Sequence, residues 1–392
     1  MATLKDIKGT NIQFLDADPV EYVGTWSSGG NLNTSKNGMG AATKGANTSG
    51  LVFGGATPPG VINETELYNG TAWTEVNNLN TARTNPRGGG TSTSAIAAGG
   101  ATPPASNTVE EWDGTNWTET TEINTARSQM AGWGSNAEGI IIAGGYPMTA
   151  SVEQWNGSAW TEVGDLNQVK RLMNGFGETY TSGIIAGGLI PPGNTQTVNA
   201  ESFNGSAWTE TSNLNQGRAQ HSAFGDSVSD GYMVSGYDWT GGSSTAKVEN
   251  WNGSAWTEVA DVATARWDTI GSGTSTAGMF MGGDTPGGKS NATEEWSFPP
   301  STSSVLIEGL MWFNSDSSTL KGFGQSTPTG TWATGNNLNT SRQEGSTSGI
   351  QTASIVGGGY TTTYVANTET YDGTSWTEVN DMNAARGGMA PS

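Results

Sequence analysis

Apolar residues fall in short runs along this chain, each closed by small residues and separated from the next run by polar, glycine-rich stretches. Ile140-Ile141-Ile142-Ala143 leads into Gly144-Gly145, and Ile184-Ile185-Ala186 leads into Gly187-Gly188. Runs this short, bounded by turn residues, predict strands rather than helices. A second pattern follows each run. Tyr68-Asn69-Gly70-Thr71-Ala72-Trp73 returns as Trp112-Asp113-Gly114-Thr115-Asn116-Trp117, Trp155-Asn156-Gly157-Ser158-Ala159-Trp160, Phe203-Asn204-Gly205-Ser206-Ala207-Trp208, Trp251-Asn252-Gly253-Ser254-Ala255-Trp256 and Tyr371-Asp372-Gly373-Thr374-Ser375-Trp376. Asn-Gly and Asp-Gly favour a two-residue hairpin turn, and alternation places Trp73 and Glu75 on one strand face, Thr74 and Val76 on the other. From Trp73 to Trp256 the second Trp advances by 44, 43, 48 and 48 residues. A period in the forties built from short strands predicts propeller blades rather than a helical solenoid.

Each unit carries further fixed positions. A cation opens it: Lys36, Arg83, Arg127, Arg171, Arg218, Arg266 or Arg342. The apolar strand ends in Gly-Gly except in the fifth unit, which has Ser235-Gly236. Paired glycines suit a strand whose backbone approaches its neighbours closely, as where blades crowd an axis. A Glu stands two residues before each aromatic: Glu66, Glu110, Glu153, Glu201, Glu249, Glu294 and Glu369. Cations repeating in register with carboxylates predict structural ion pairs, because a catalytic set would be asymmetric.

The apolar strand, the Gly-Gly pair, the spaced Tyr or Trp and the second Trp together resemble the kelch repeat, over residues 24–298 and 331–386. The resemblance implies an all-β propeller of four-stranded blades that works as a scaffold or binding module. Seven blades is the expected number, since there are seven Gly-bearing strands and seven aromatic third strands, against eight Trp strands counting Trp26 and Trp332. The extra Trp strand, around Trp26 or around Trp376, then closes the ring from the opposite terminus or pairs with a neighbouring subunit. A six-bladed ring with a trailing fragment is the competitor; it would leave a strand edge unpaired. The near-identical units, the head from Met1 to Gln13 and the segment 308–322 also resemble virion structural proteins of tailed phages, marine ones especially.

The expected domains are an N-terminal docking extension at 1–23, a propeller at 24–298 and 331–392, and a β-hairpin insert at 299–330. Leu310 to Phe313 and Thr319 to Phe323 read as the hairpin. With Asn11 to Leu15 it makes a small docking sheet, or it lies as a decoration on the propeller.

Composition narrows the function. The chain holds 59 Gly among 392 residues and only 33% hydrophobic content, marginal for an ordinary core. Its 16 Trp change that, since each buried aromatic removes roughly 200 Å² from water. A net charge of -20 argues against nucleic acid, which needs a basic patch. No stretch approaches the length of a membrane span, and the first residues lack the apolar centre of a secretory signal. Cys is absent and His221 is the sole histidine, which removes Ser/His/Asp, Cys/His and His-rich copper chemistry. His221 itself reads as a solvent-tolerant strand position. Asn-Gly-Ser matches the glycosylation pattern incidentally, Asp-Gly-Thr-x-Trp is a structural hairpin of the sialidase type, and Asp226 to Asp230 reads as a solvated loop rather than a calcium site. No catalysis, metal or cofactor is expected.

The loops between second and third strands vary while the strands stay constant, and function concentrates in loops on a rigid scaffold. Tyr146, Tyr237, Trp239, Tyr360 and Tyr364 in these loops are the candidate ligand-binding residues, as aromatic platforms for a sugar or anchors for a protein. The leading expectation is a non-enzymatic phage virion component, a tail fibre or capsid appendage. It would be assembled in the host cytoplasm, contact other virion proteins, recognise a host-surface glycan and form a homo-oligomer. A bacterial surface adhesin or extracellular propeller is the alternative, and a glycan lyase or hydrolase the third reading.

Overall fold

The computed structural model describes residues 12–15, 23–136, 139–299, 311–314, 319–322, 337–350 and 353–387. Among these residues every regular element is a strand, and seven four-stranded antiparallel sheets recur, an arrangement compatible with a β-propeller. The second sheet shows the pattern: Arg87–Thr91, Ser94–Ala98, Val109–Trp112 and Trp117–Thr120, hydrogen-bonded in that order. The chain divides into two compact units, one of residues 12–307 with 312–321, the other of residues 1–11, 308–311 and 322–392.

Six sheets belong to the first unit. The sixth takes Ile270–Thr274, Ala277–Met281 and Thr293–Ser297 from one end of the unit and Thr25–Ser28 from the other, with Trp26 opposite Trp296. The Trp26 strand thus completes a sheet begun at the far end of the unit, and Trp332 lies outside the described residues. The seventh sheet, Ser346–Ile350, Ala353–Gly357, Thr368–Tyr371 and Trp376–Val379, belongs to the second unit. A separate three-stranded sheet joins Ile12–Leu15, Met311–Asn314 and Thr319–Gly322, the segments from which a small sheet was expected.

A cycle of backbone hydrogen bonds links the six sheets. Gly38 N–H donates to Asp268 O at 3.0 Å, Asp268 to Gln220 at 2.9 Å, Gln220 to Leu172 at 2.9 Å, Leu172 to Gln129 at 3.0 Å, Gln129 to Asn85 at 3.4 Å, and Asn85 back to Gly38 at 2.6 Å. All six residues have positive φ, between 52° and 59°. That conformation is unusual for Leu or Gln, and it recurs because each residue sits two places after the buried cation of its unit.

Between sheets the core is aromatic. Trp155 and Trp160 stand 5.4 Å apart and cluster with Ile96 of the preceding sheet. The indoles also donate across sheets, Trp73 to Thr293 Oγ1 and Trp117 to Thr65 Oγ1, each at 3.0 Å. One local expectation needs correction. The Asn-Gly turn is a four-residue loop between the paired Tyr68 and Trp73. Asn69 serves it through its side chain, whose Oδ1 accepts the N–H groups of Thr71 and Ala72 at 2.9 Å. The Gly-Gly pair ends its strand against the backbone of the next unit, the close approach that paired glycines suit. Gly99 has φ 58°, and a Cβ there would lie 2.5 Å from Arg127 O. Ser235 takes the same φ of 58°, held by its hydroxyl, which accepts from Arg266 N–H at 2.9 Å and has one proton to share between Thr245 O and Arg266 O, each 2.7 Å away.

Candidate functional site

The repeated charges are internal fittings. Arg83 pairs with Glu110, Arg127 with Glu153 at 2.6 Å, Arg218 with Glu249, Arg266 with Glu294 at 2.9 Å and Lys36 with Glu66 at 2.6 Å, all buried. The second unit repeats the pair as Arg342 with Glu369. The remaining oxygen of each carboxylate is used as well: Glu110 Oε2 accepts from Asn80 N–H at 2.7 Å and from its side chain at 2.9 Å. Arg83 also donates to Thr108 O at 2.7 Å. Buried ions this well partnered hold a fold together without being available to a substrate. Burial pulls the guanidinium pKa values of Arg83, Arg127, Arg218 and Arg266 down, and the paired carboxylates pull them back up.

The fourth unit departs from the reading of its sequence. Lys170, not Arg171, makes the buried pair, with Glu201 at 2.8 Å. Two cations stand side by side in the chain, and the positive-φ residue two places after Lys170 is Leu172, which fixes the alignment. Arg171 is released toward the surface. It donates to Gln129 Oε1 at 2.6 Å and lies over the Tyr146 ring, 5.5 Å from its centre. His221 is also corrected: it is 2% exposed, not solvent-tolerant. Burial, then the nearby Arg218 charge, pushes its pKa down to about 3.

Of the candidate aromatics, Tyr237 and Trp239 come together, in an edge-to-face pair with ring centres 5.6 Å apart. Trp267, which sequence reasoning missed, adds a third ring 5.5 Å from Tyr237. These rings, with Gln220 and Gly242, line a cleft of about 380 Å³. Trp239 is 45% exposed, yet its loop is anchored. The hairpin Tyr237–Asp238 with Ser243–Ser244 carries it. Asp238 Oδ1 accepts from Thr240 N–H, Gly241 N–H and Gln196 Nε2, each at 2.9 Å. Trp239 N–H donates to Gln196 Oε1 at 2.6 Å, so a loop of the fourth unit braces the hairpin of the fifth. The Gly241 N–H first, with Gln196, Thr240 and Gln216, holds the Asp238 carboxyl below its usual range. The signal for Trp267 was a Trp directly after Arg266, where other units carry Thr84, Ser128 or Ala219.

Gln220 also lines the mouth encircled by the hydrogen-bond cycle, together with Asp268. Burial, then the charge of Asp284, raises the Asp268 pKa to about 6. Asp284 in turn accepts from Asn37 Nδ2 at 2.5 Å. The cleft therefore opens beside carboxylates. Tyr146 is half exposed on a different loop, and Tyr360 and Tyr364 form their own edge-to-face pair at 5.4 Å within the second unit. Asp226 and Asp230 accept hydrogen bonds from Ser275 N–H and Asn250 Nδ2. Among the described residues, no group of three or more His, Cys, Asp or Glu is placed to hold a metal ion. No protein-family model matches the chain, and no curated protein matches it.

Proposed function

We propose that the six sheets of residues 25–297 are the blades of a closed six-bladed propeller, and that its Tyr237–Trp239–Trp267 cleft binds a neutral saccharide. The cycle of six backbone hydrogen bonds and the completion of the sixth sheet by Thr25–Ser28 support the architecture. The observation that carries the binding reading is Trp239, a large indole held in the open by five hydrogen bonds to its loop. Exposing it contributes nothing to the core, whereas a rigid aromatic platform spares a ligand the cost of ordering its site. A sugar ring offers an apolar face to stack on Trp239 and hydroxyls for Gln220, and the carboxylates nearby disfavour an acidic sugar.

The chain is then a non-enzymatic recognition module, with its repeated carboxylates committed to buried pairs. On the resemblance of its repeats and head to virion proteins, the ligand is a host-surface glycan and the setting a phage tail fibre or capsid appendage. Binding to an array of neutral and acidic oligosaccharides tests this. Neutral glycans should be retained by the parent and lost on replacing Tyr237 and Trp239 by Ala, with the melting temperature unchanged. Equal retention by parent and variant would remove the cleft from the account.

A further inference from the structure

One buried cation lacks what the others have. Lys36, Arg83, Arg127, Lys170, Arg218 and Arg266 are each paired with a Glu. Arg87 is 5% exposed, and burial alone pulls its pKa down, to about 10; no carboxylate acts against that pull. At neutral pH it is therefore charged, and among the described residues it has no ion-pair partner. Burial lowers the Lys44 pKa as well, to about 8, but there the charges of Asp226 and Glu178 act in the other direction. Nor does the repeat call for a cation at position 87. It lies two places after Asn85 of the hydrogen-bond cycle, where the other units carry Gly40, Ala131, Asn174, Ser222 and Ile270.

Neutral groups of the third and fourth sheets fix the guanidinium. Its Nε donates to Gly132 O at 3.0 Å and its Nη2 to Asn174 Oδ1 at 2.5 Å. The Asn174 amide is itself locked, since its Nδ2 donates to His221 O at 3.0 Å and its Oδ1 accepts from Gly175 N–H at 2.9 Å. Of the five N–H donors of an Arg, these bonds use two, and among the described residues nothing accepts the rest. Beside them is space. Arg87 lines a cavity of about 40 Å³ with Asn174, Met130, Met173, Thr269 and the residues of the cycle. That volume takes roughly three water-sized particles. Asp268 is the only acid on its lining, and it makes no ion pair with Arg87.

We propose that this cavity is a binding site for a small monovalent anion of halide size, held by the free N–H groups of Arg87. A charge taken out of water without a counter-ion is costly to a fold. Here the counter-ion has both donors to meet it and room to sit in. The volume suits a monatomic anion rather than a phosphate ester or a sugar acid, so the site is separate from the aromatic cleft and does not depend on the saccharide reading. An anion bound only by the folded chain stabilises it as its concentration rises.

Bromide is the probe. Crystals of the full chain grown without halide and soaked in sodium bromide should show an anomalous peak within hydrogen-bond reach of the Arg87 guanidinium. In solution, replacing gluconate by bromide at constant ionic strength should raise the melting temperature along a single-site saturation curve. Arg87→Met should abolish that rise. Asn174→Asp, which sets a carboxylate of the chain itself against Arg87, should abolish both the rise and the peak. Absence of the peak in the parent overturns the proposal, whether or not either variant folds. So does a rise of equal size in parent and variants, which is a general salt effect, and so does a peak with no rise, which marks an adventitious ion only.

Discussion

Trp160 stands at the repeated position of the third sheet, 7% exposed, with its indole N–H donating to Thr121 O at 3.0 Å. Trp239 stands in a hairpin outside the repeat, 45% exposed, with its backbone rather than its ring held. One is part of what makes successive sheets cohere; the other is supported by a structure that does not need it. A side chain's place relative to the repeat, not its chemistry, separates core from candidate site. Breaking this contrast is the strongest test. Trp160→Ala should cost about 3–5 kcal/mol, as truncation of a packed aromatic does. Trp239→Ala should stay within roughly 0.5 kcal/mol. Chemical denaturation reads both, and equal losses would erase the distinction.

The same contrast is repeated at smaller scale by the neighbours Lys170 and Arg171. Lys170→Met leaves Glu201 buried without its cation, although Asn167 N–H and its side chain still hold Oε2. A loss of about 3 kcal/mol, the low end for breaking a buried pair, is expected. Arg171→Ala, at a partly exposed site, should stay under about 1 kcal/mol. A reversed order would restore Arg171 to the position its sequence suggested.

A third test sets His221 against Asp268. The folded chain keeps the imidazole neutral down to about pH 3, whereas the unfolded chain binds its proton below 6.5. The unfolded state thus holds more protons, and stability from this group is lost as pH falls from 6.5. Asp268 works in the other direction. Its folded pKa is about 6 against an ordinary 3.8, so the folded state holds the extra proton and stability is lost as pH rises through that window. Each slope is about 1.4 kcal/mol per pH unit. Between pH 5 and 6 they oppose, and the two together contribute little net slope. His221→Gln should add a downward tilt with rising pH, and Asp268→Asn an upward one; denaturant midpoints across that range show whether either tilt appears.

What the sequence made legible is what it repeats. The Glu-to-cation pairs were readable because each of the seven copies kept a Glu two residues before its aromatic and a cation at its head, and the strands because their turn residues recurred. The alignment slipped where one unit offered two adjacent cations, Lys170 and Arg171, since only backbone geometry at Leu172 distinguishes them. Assigning sheets to units was harder still. Trp26 pairs with Trp296, and nothing local to either marks the other as its partner. Burial of His221 was hidden for a similar reason: the groups that enclose it come from distant parts of the chain. At the cleft, Tyr237 and Trp239 were visible as aromatics in a variable loop. Trp267 stood out only as a departure at one position, and Gln196 gave no sign, because its role exists only once two loops meet.

Thr25 pairs with Ser297, and that register has a consequence in time. On a ribosome moving at about 5–20 residues per second, the Trp26 strand waits on the order of 15–60 s for its partner to be made. Until then the first sheet has no sixth sheet to cover Met39, and Thr25–Ser28 is an open edge on a nascent chain. The first strand of the six sheets to be translated is among the last to find its place. Substitutions there, such as Trp26→Ser, should be felt less in the finished protein than in the yield of chains that reach it.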